Sequence, residues 1–171
     1  MNTSTELNVE MAGLSVSLDR SLSVASLRHF AAGAGFAGDI IGAPLPERLQ
    51  AVAVASGILA WRSPTETLVV SQDAGRFAAL EAGLVGRTDV SFVDQTGGIW
   101  IWRITGERAS EVLARLGATS AIPAVGHALT SRLAELTVMA LCMRAGEILL
   151  LVDRVYSAHL MGWVRETVAD F

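Results

Sequence analysis

Apolar and polar residues fall along this chain in short runs of two kinds. Residues 94–117 (DQTGGIWIWRITGERASEVLARLG) show both in succession. Residues 99–104 are a dense β-forming run, and Gly106 breaks it. Ala109, Val112, Leu113 and Leu116 then fall at i, i+3, i+4 and i+7, the stripe of a helix packed on one side, and Gly117 stops it. The same reading predicts short strands over 14–18 and 22–27 about a turn at Asp19-Arg20-Ser21. A glycine-rich helix over 30–41 would set Phe30, Ala34, Ala37 and Ile41 on one side. Pro44 and Pro46 punctuate the chain before 51–61, which reads as one long apolar strand. Ser63-Pro64-Thr65-Glu66 is a turn into a returning strand over 67–71. Asp73 is placed to cap a helix striped by Phe77, Leu80 and Leu84 and ended by Gly83 or Gly86. Residues 90–93 lead back to the opening stretch. Beyond Gly117 an irregular segment is expected to Thr130, around Pro123 and Gly126, then a long strand over 132–143. Arg144-Ala145-Gly146 turns it into a strand over 147–152. A final helix starts near Ser157 and buries Leu160, Trp163, Val164, Thr167 and Val168.

Read in this way, the chain repeats itself. Asp19 and Asp94 precede the two copies, Pro46 matches Pro123, and WRSPTETLVVS from Trp61 answers MRAGEILLLVD from Met143. Two β-α-β-β-α units, ferredoxin-like in order, predict an α+β fold with mainly antiparallel sheets. The expected division is a flexible end over 1–12 and a single duplicated domain over 13–171, its halves roughly 13–90 and 91–171.

Strand faces add a constraint. Trp100, Trp102 and Ile104 share one face, and Ile99, Ile101 and Arg103 the other. Ile148, Leu150 and Val152 oppose Leu149 and Leu151 in the same way. Both faces are apolar, so both must be covered, either by the other half of the chain or by a partner. Ile99, Ile101, Leu149, Leu151 and Trp61 are therefore interface candidates.

Composition changes this picture in one respect. The chain is 51% hydrophobic and 18% charged, against roughly 25% charged residues in an average soluble domain. The longest uncharged apolar stretches, 51–61 and 136–143, fall far short of the roughly 20 residues of a membrane span. Burial against partners accounts for the surplus better. A formal charge of −4 with no run of Lys or Arg argues against nucleic acid as that partner. The single cysteine, Cys142, excludes an internal disulfide and fits a reducing compartment. Residues 1–10 carry two acids and no basic residue. They read as a frayed end and not as a secretory signal.

Candidate chemistry is sparse. His29, His127 and His159 are scattered, and His159 and Glu166 lie two turns apart, so no metal site is expected. Cys142 sits in a core strand, where a thiol behaves as a small hydrophobe. Gly33, Gly35 and Gly38 spell GAGFAG, the G-x-G-x-x-G of dinucleotide sites. The parallel strand and terminal acid that pattern needs are missing, which leaves a small-residue helix open to close approach. Asp94, in Asp94-Gln95-Thr96-Gly97-Gly98, is read as an Asx-turn residue before it is read as a catalytic carboxylate. Arg103 and Arg144 could each grip a carboxylate, in a ligand or across an interface. Trp61, Trp100, Trp102 and Trp163 read as core or interface anchors.

Taken together, the Asp-x-[ST]-x-x turn, the apolar strand, the glycine corner and the helix GERASEVLARLGA resemble a segment of the glycine-cleavage T-protein superfamily. The run GHALTSRLAELTVMALCMRAGEILLLVDRVYSAHLMGWV continues the resemblance through hairpin and helix. With the hairpin GILAWRSPTETLVVS, the chain looks most like the gamma subunits of heterotetrameric sarcosine oxidases. Ser63-Pro64-Thr65-Glu66 stands where that family has a Gly-Pro-Asp/Glu-Glu-Trp-type turn, and Thr67 replaces its Trp. The resemblance implies two intertwined halves, as in the folate-binding domain of T-proteins. It also implies a non-catalytic role in a bacterial cytoplasmic complex that oxidises sarcosine and passes the one-carbon unit to tetrahydrofolate. FAD, FMN, NAD, zinc and tetrahydrofolate would then sit in the alpha, beta and delta partner subunits, with no cofactor on this chain. No catalytic residue carries over. The rival expectation is a stand-alone folate-binding one-carbon transfer domain, with Arg103, Arg144 and Trp100 as contacts. A third is a homodimer of the isolated chain.

Overall fold

A computed structural model describes residues 8–30, 33–55, 57–73 and 75–171. Among these residues, two antiparallel sheets and four α-helices form two compact units. One unit takes the chain up to Arg20 together with Gly98–Phe171, and the other takes Ser21–Gly97.

The first unit is built on six strands: β1 (Asn8–Met11), β2 (Leu14–Leu18), β8 (Ile99–Thr105), β9 (His127–Leu133), β10 (Leu136–Arg144) and β11 (Glu147–Asp153). Their order across the sheet is β1-β2-β8-β11-β10-β9. Helices α3 (Ala109–Leu116) and α4 (Ser157–Ala169) bury Val112, Leu113, Leu160 and Val164 in one cluster with Trp102, Ile104, Ile148 and Leu150. Trp102 keeps its indole N–H satisfied there by donating from Nε1 to Ser157 Oγ at 2.7 Å. The corner after β8 requires Gly106. Its φ is +122°, and a Cβ would lie 2.1 Å from the Gly13 carbonyl oxygen.

The second unit orders its strands β4 (Ala51–Val54), β5 (Gly57–Ser63), β6 (Glu66–Ser71), β3 (Ser23–His29) and β7 (Val90–Asp94). Helices α1 (Ala34–Ile41) and α2 (Gly75–Gly83) supply Ala37, Ile41, Phe77 and Leu80 to a core with Leu27, Leu59, Val69 and Phe92. The core order β4-β5-β6-β3 reproduces β9-β10-β11-β8 of the first unit. The exchange between halves lies in the leading strands. β2 runs directly into β3 yet pairs with β8, and β7 runs directly into β8 yet pairs with β3. This is the α+β, mainly antiparallel, intertwined arrangement that the duplication and the family likeness predict.

Several boundaries differ from expectation. Residues 51–61 are two strands, since Val54 pairs with Gly57 and the chain reverses between them. Residues 132–143 are likewise divided: β9 ends at Leu133, β10 starts at Leu136, and Ala134 and Glu135 turn with φ of 49° and 64°. Each half is therefore β-α-β-β-β-α, one strand longer than read from the sequence. The segment after Gly117 is less irregular than expected, with a 3-10 turn at Thr119–Ala121 and β9 already formed at His127. Asn8–Met11 is a paired strand and not part of a frayed end. Trp163 lies 46% exposed on α4, while Met161 takes the buried place assigned to it.

Candidate functional site

A polar recess lies at one end of the second unit's sheet. Antiparallel register sets Arg28 of β3 opposite Glu66 of β6, and Leu27 opposite Thr67. Strand alternation then puts Ser26, Arg28 and Glu66 on one face and His29 and Thr67 on the other. Ser26 Oγ donates to Glu66 Oε1 at 2.5 Å, and Arg62 Nη1 donates to the same oxygen at 3.4 Å. Arg28 Nε lies 3.9 Å away from it. His29 Nε2 is 3.4 Å from Thr67 Oγ1, and the His29 backbone N donates to the Thr65 carbonyl at 2.9 Å. Burial lowers the His29 pKa from its ordinary 6.5, which keeps the ring neutral at neutral pH. Arg28, His29, Phe30, Thr65 and Glu66 line a cavity of about 340 Å³. That is near the small end of ligand-binding cavities. The carboxylate is already held by a hydroxyl and guanidinium groups. What remains for a ligand is the Arg28 guanidinium, a neutral imidazole and the exposed Phe30 ring. No local pattern marks this group, because residues 28 and 66 meet only once the strand register is known.

The residues singled out from sequence fall elsewhere. Arg103 grips carboxylates of its own chain. Its Nε and Nη2 donate to Asp19 Oδ2 at 2.9 and 2.6 Å, and its Nη1 meets Glu147 Oε1. Arg144 donates from Nε to Glu147 Oε2. The two arginines are thus brought together by one glutamate. Trp100 is separate from them, partly exposed, with the Arg20 and Arg154 guanidinium carbons 5.1 and 5.6 Å from its ring centre. Ile101, Leu149 and Leu151 are 2%, 3% and 4% exposed, so they offer no free docking face. Ile99 and Trp61 are half-buried.

Asp94 Oδ1 accepts from the Thr96 backbone N at 2.9 Å, the Asx turn expected of it. A Cβ on Gly33 would lie 2.5 Å from Val90 Cγ2, so this glycine of GAGFAG lets β7 approach closely. The pairings of the second sheet are antiparallel, which leaves no β-α-β dinucleotide frame for the motif. Cys142 Sγ donates to the Arg144 carbonyl at 3.3 Å, and burial raises its pKa, as suits an inert core thiol. Among the described residues no three His, Cys, Asp or Glu side chains converge as a metal site would need. Nor is any helix among them long and apolar enough to cross a membrane.

The architecture is a T-protein-like fold. Among solved structures it superposes on a chain of the heterotetrameric sarcosine oxidase from Corynebacterium sp. U-96, determined in complex with pyrrole 2-carboxylate. The TM-score is 0.82 at 18% identity, over 97% of this chain and 88% of that one. It also superposes on the glycine cleavage system aminomethyltransferase T from Bartonella henselae, with TM-score 0.68, 14% identity and 89% of this chain. The overlap takes in 45% of that enzyme, so the chain spans less than half of its length. No family model matches the sequence, and no curated protein matches it significantly. At these identities the fold is what is shared.

Proposed function

We propose that this chain is an accessory subunit of a larger sarcosine-oxidase-type flavoenzyme, and that it works by docking on the catalytic subunits. One observation carries the reading: the correspondence with a chain of the heterotetrameric enzyme extends over nearly the whole of both, 97% and 88%. A likeness to one domain of a larger catalyst covers much less of the other chain, as with aminomethyltransferase T at 45%. On this reading FAD, FMN, NAD, zinc and tetrahydrofolate belong to the larger alpha and beta subunits and the small delta subunit. The assembly carries out oxidative demethylation of sarcosine in the cytoplasm. The favourable term for docking is apolar area at about 25 cal/mol per Å², less the cost of rigid-body ordering. The test is affinity capture of the tagged full chain from its own cells. Co-elution of a flavoprotein, seen by its flavin absorbance and by sarcosine-dependent oxidation, is the expected result. A colourless single band would overturn the proposal.

The T-protein-like fold favours a second reading, a folate-binding one-carbon domain. Fold likeness alone does not confer a ligand. Arg103 and Arg144, the contacts it would use, are both drawn onto Glu147. Titration of the isolated chain with tetrahydrofolate, followed by tryptophan fluorescence, separates the two readings.

A further inference from the structure

Two arginines of the first unit lie over one tryptophan. Arg20 and Arg154 approach the Trp100 ring to 5.1 and 5.6 Å, and both side chains are exposed. Neither guanidinium forms an ion pair with a carboxylate among the described residues. Their acidic neighbours in sequence do not neutralise them: Asp19 holds Arg103, and Asp153 makes no ion pair with either.

From Arg154 the chain continues through Val155 and Tyr156, which are 81% and 51% exposed, into α4. Tyr156, His159 and Trp163 follow at i, i+3 and i+7, so they share one side of that helical turn. Trp163 Nε1 donates to His159 Nε2 at 3.2 Å, which fixes the indole against the helix. The buried stripe, with Leu160, Met161, Val164 and Val168, is the other side. The result is an exposed ridge of Trp, Arg and Tyr, the residue types that carry binding energy at interfaces. Its two guanidiniums stand without an ion-pair partner among the described residues of a chain whose formal charge is −4, although exposed Asp153 and Glu166 lie near the ridge.

We propose that this ridge docks on an acidic segment of the larger partner chain. The inference rests on the accessory-subunit reading. Partner carboxylates would meet Arg20 and Arg154, while partner apolar side chains cover Val155, Tyr156 and Trp163. Covering two guanidiniums without a counter-charge would be unfavourable, which argues for an acidic and not a neutral occupant. Stacking on Trp100 already restrains both arginines, so less freedom is lost on binding. Two arginines on an acidic chain make a poor nucleic-acid footprint. Val85 and Val125 are exposed apolar residues elsewhere; Arg87, near Val85, also lies over an aromatic ring (Phe36, 4.2 Å), but its guanidinium is already paired with Asp89 and needs no outside counter-charge.

The experiment compares the tagged full chain with an Arg20→Ala/Arg154→Ala double variant, Trp163→Ala, and Val85→Ser as a control. Co-purified flavoprotein and the salt dependence of its Kd are read for each, and unchanged melting midpoints exclude misfolding. The double variant and Trp163→Ala are expected to bind at least about tenfold more weakly. Val85→Ser should bind like the parent. Salt should weaken the parent complex and leave the double variant nearly unaffected. Capture by the parent with undiminished capture by the ridge variants overturns the ridge and leaves the accessory reading standing. Weakened binding with the parent's salt dependence intact overturns the acidic occupant. A parent chain that captures no flavoprotein overturns the accessory reading, and the ridge proposal falls with it.

Discussion

The two units hold a glutamate at the same place and treat it differently. Glu66 opens β6 and Glu147 opens β11, each just after a hairpin whose pairing slips near its end. Each accepts from an arginine of the preceding strand, Arg62 in one unit and Arg144 in the other. The difference comes from the neighbouring strand. Arg103 lies two residues before Thr105, the partner of Glu147, and Ser26 lies two before Arg28, the partner of Glu66. In the first unit this position is a guanidinium that ties Glu147 to Asp19. In the second it is a short hydroxyl, and a cavity of about 340 Å³ opens against Glu66. The carboxylate at the hairpin end is thus architectural, common to both halves. The residue beside it decides whether the position is tied into an ion-pair network or faces an open recess.

The largest predicted effect tests whether the second unit's open end depends on its hairpin. Gly57 has φ of +128°, and a Cβ there would lie 2.1 Å from the Val70 carbonyl oxygen. Gly57→Ala should cost at least about 3 kcal/mol, read as loss of soluble folded protein. Gly35→Ala is the contrast, since nothing lies within 4 Å of a Cβ there and α1 is helical. It should gain about 0.5–1 kcal/mol. Equal, small effects at both positions would refute the backbone argument.

The next test addresses the glutamates themselves. Glu147 and Asp19 side chains are 10% and 12% exposed, with Arg103 at 30%. Glu147→Gln leaves Arg103 and Arg144 short of a counter-charge and should cost about 2–3 kcal/mol after allowance for partial exposure. Glu66 has no guanidinium as covered as Arg103, its arginines being 67% and 39% exposed, and Glu66→Gln should cost about 1 kcal/mol. Urea unfolding of both variants gives the comparison. A Glu66 effect equal to or larger than the Glu147 effect would mean that the extra guanidinium does not distinguish the units.

What the sequence made legible follows from where its signals were local. The stripe from Ala109 to Leu116 and the turns at 63–66 and 144–146 lie within a few residues of their causes, and the elements stand where periodicity put them. The duplication was visible for the same reason. Both misread long strands sit at equivalent places in the repeat, and both conceal a tight reversal. Ala134 and Glu135 adopt left-handed φ without a Gly or Asn to mark it. Apolar residues continue unbroken on either side, so the pattern reads as one strand. The strand exchange of β2 and β7, and the meeting of Ser26, Arg28, Arg62 and Glu66, depend on pairings between distant segments, which no local pattern encodes. Helical spacing alone puts Trp163 in the buried stripe of the last helix. In fact α4 presents it beside His159, as an exposed ridge rather than a buried stripe.

The smallest predicted effect isolates the second unit by pH. His29 is 8% exposed, and burial holds its pKa below the ordinary 6.5. Because the folded state resists protonation, the unfolded chain binds more protons in the histidine range, and stability rises with pH there. The contribution is fully present above 6.5 and is lost as pH falls toward the depressed folded value. Asp89 and Glu111 also have lowered pKa values, through hydrogen bonds from Arg87 and from Arg108 respectively. Their contribution fades only below the ordinary carboxylate values of 3.8 and 4.5, a separate window. Between about pH 7.5 and pH 5.5 the parent's urea midpoint should therefore fall, and His29→Gln should flatten the slope. A slope unchanged by that substitution would place the titrating group outside the recess, and the recess could no longer be described as built around a neutral imidazole.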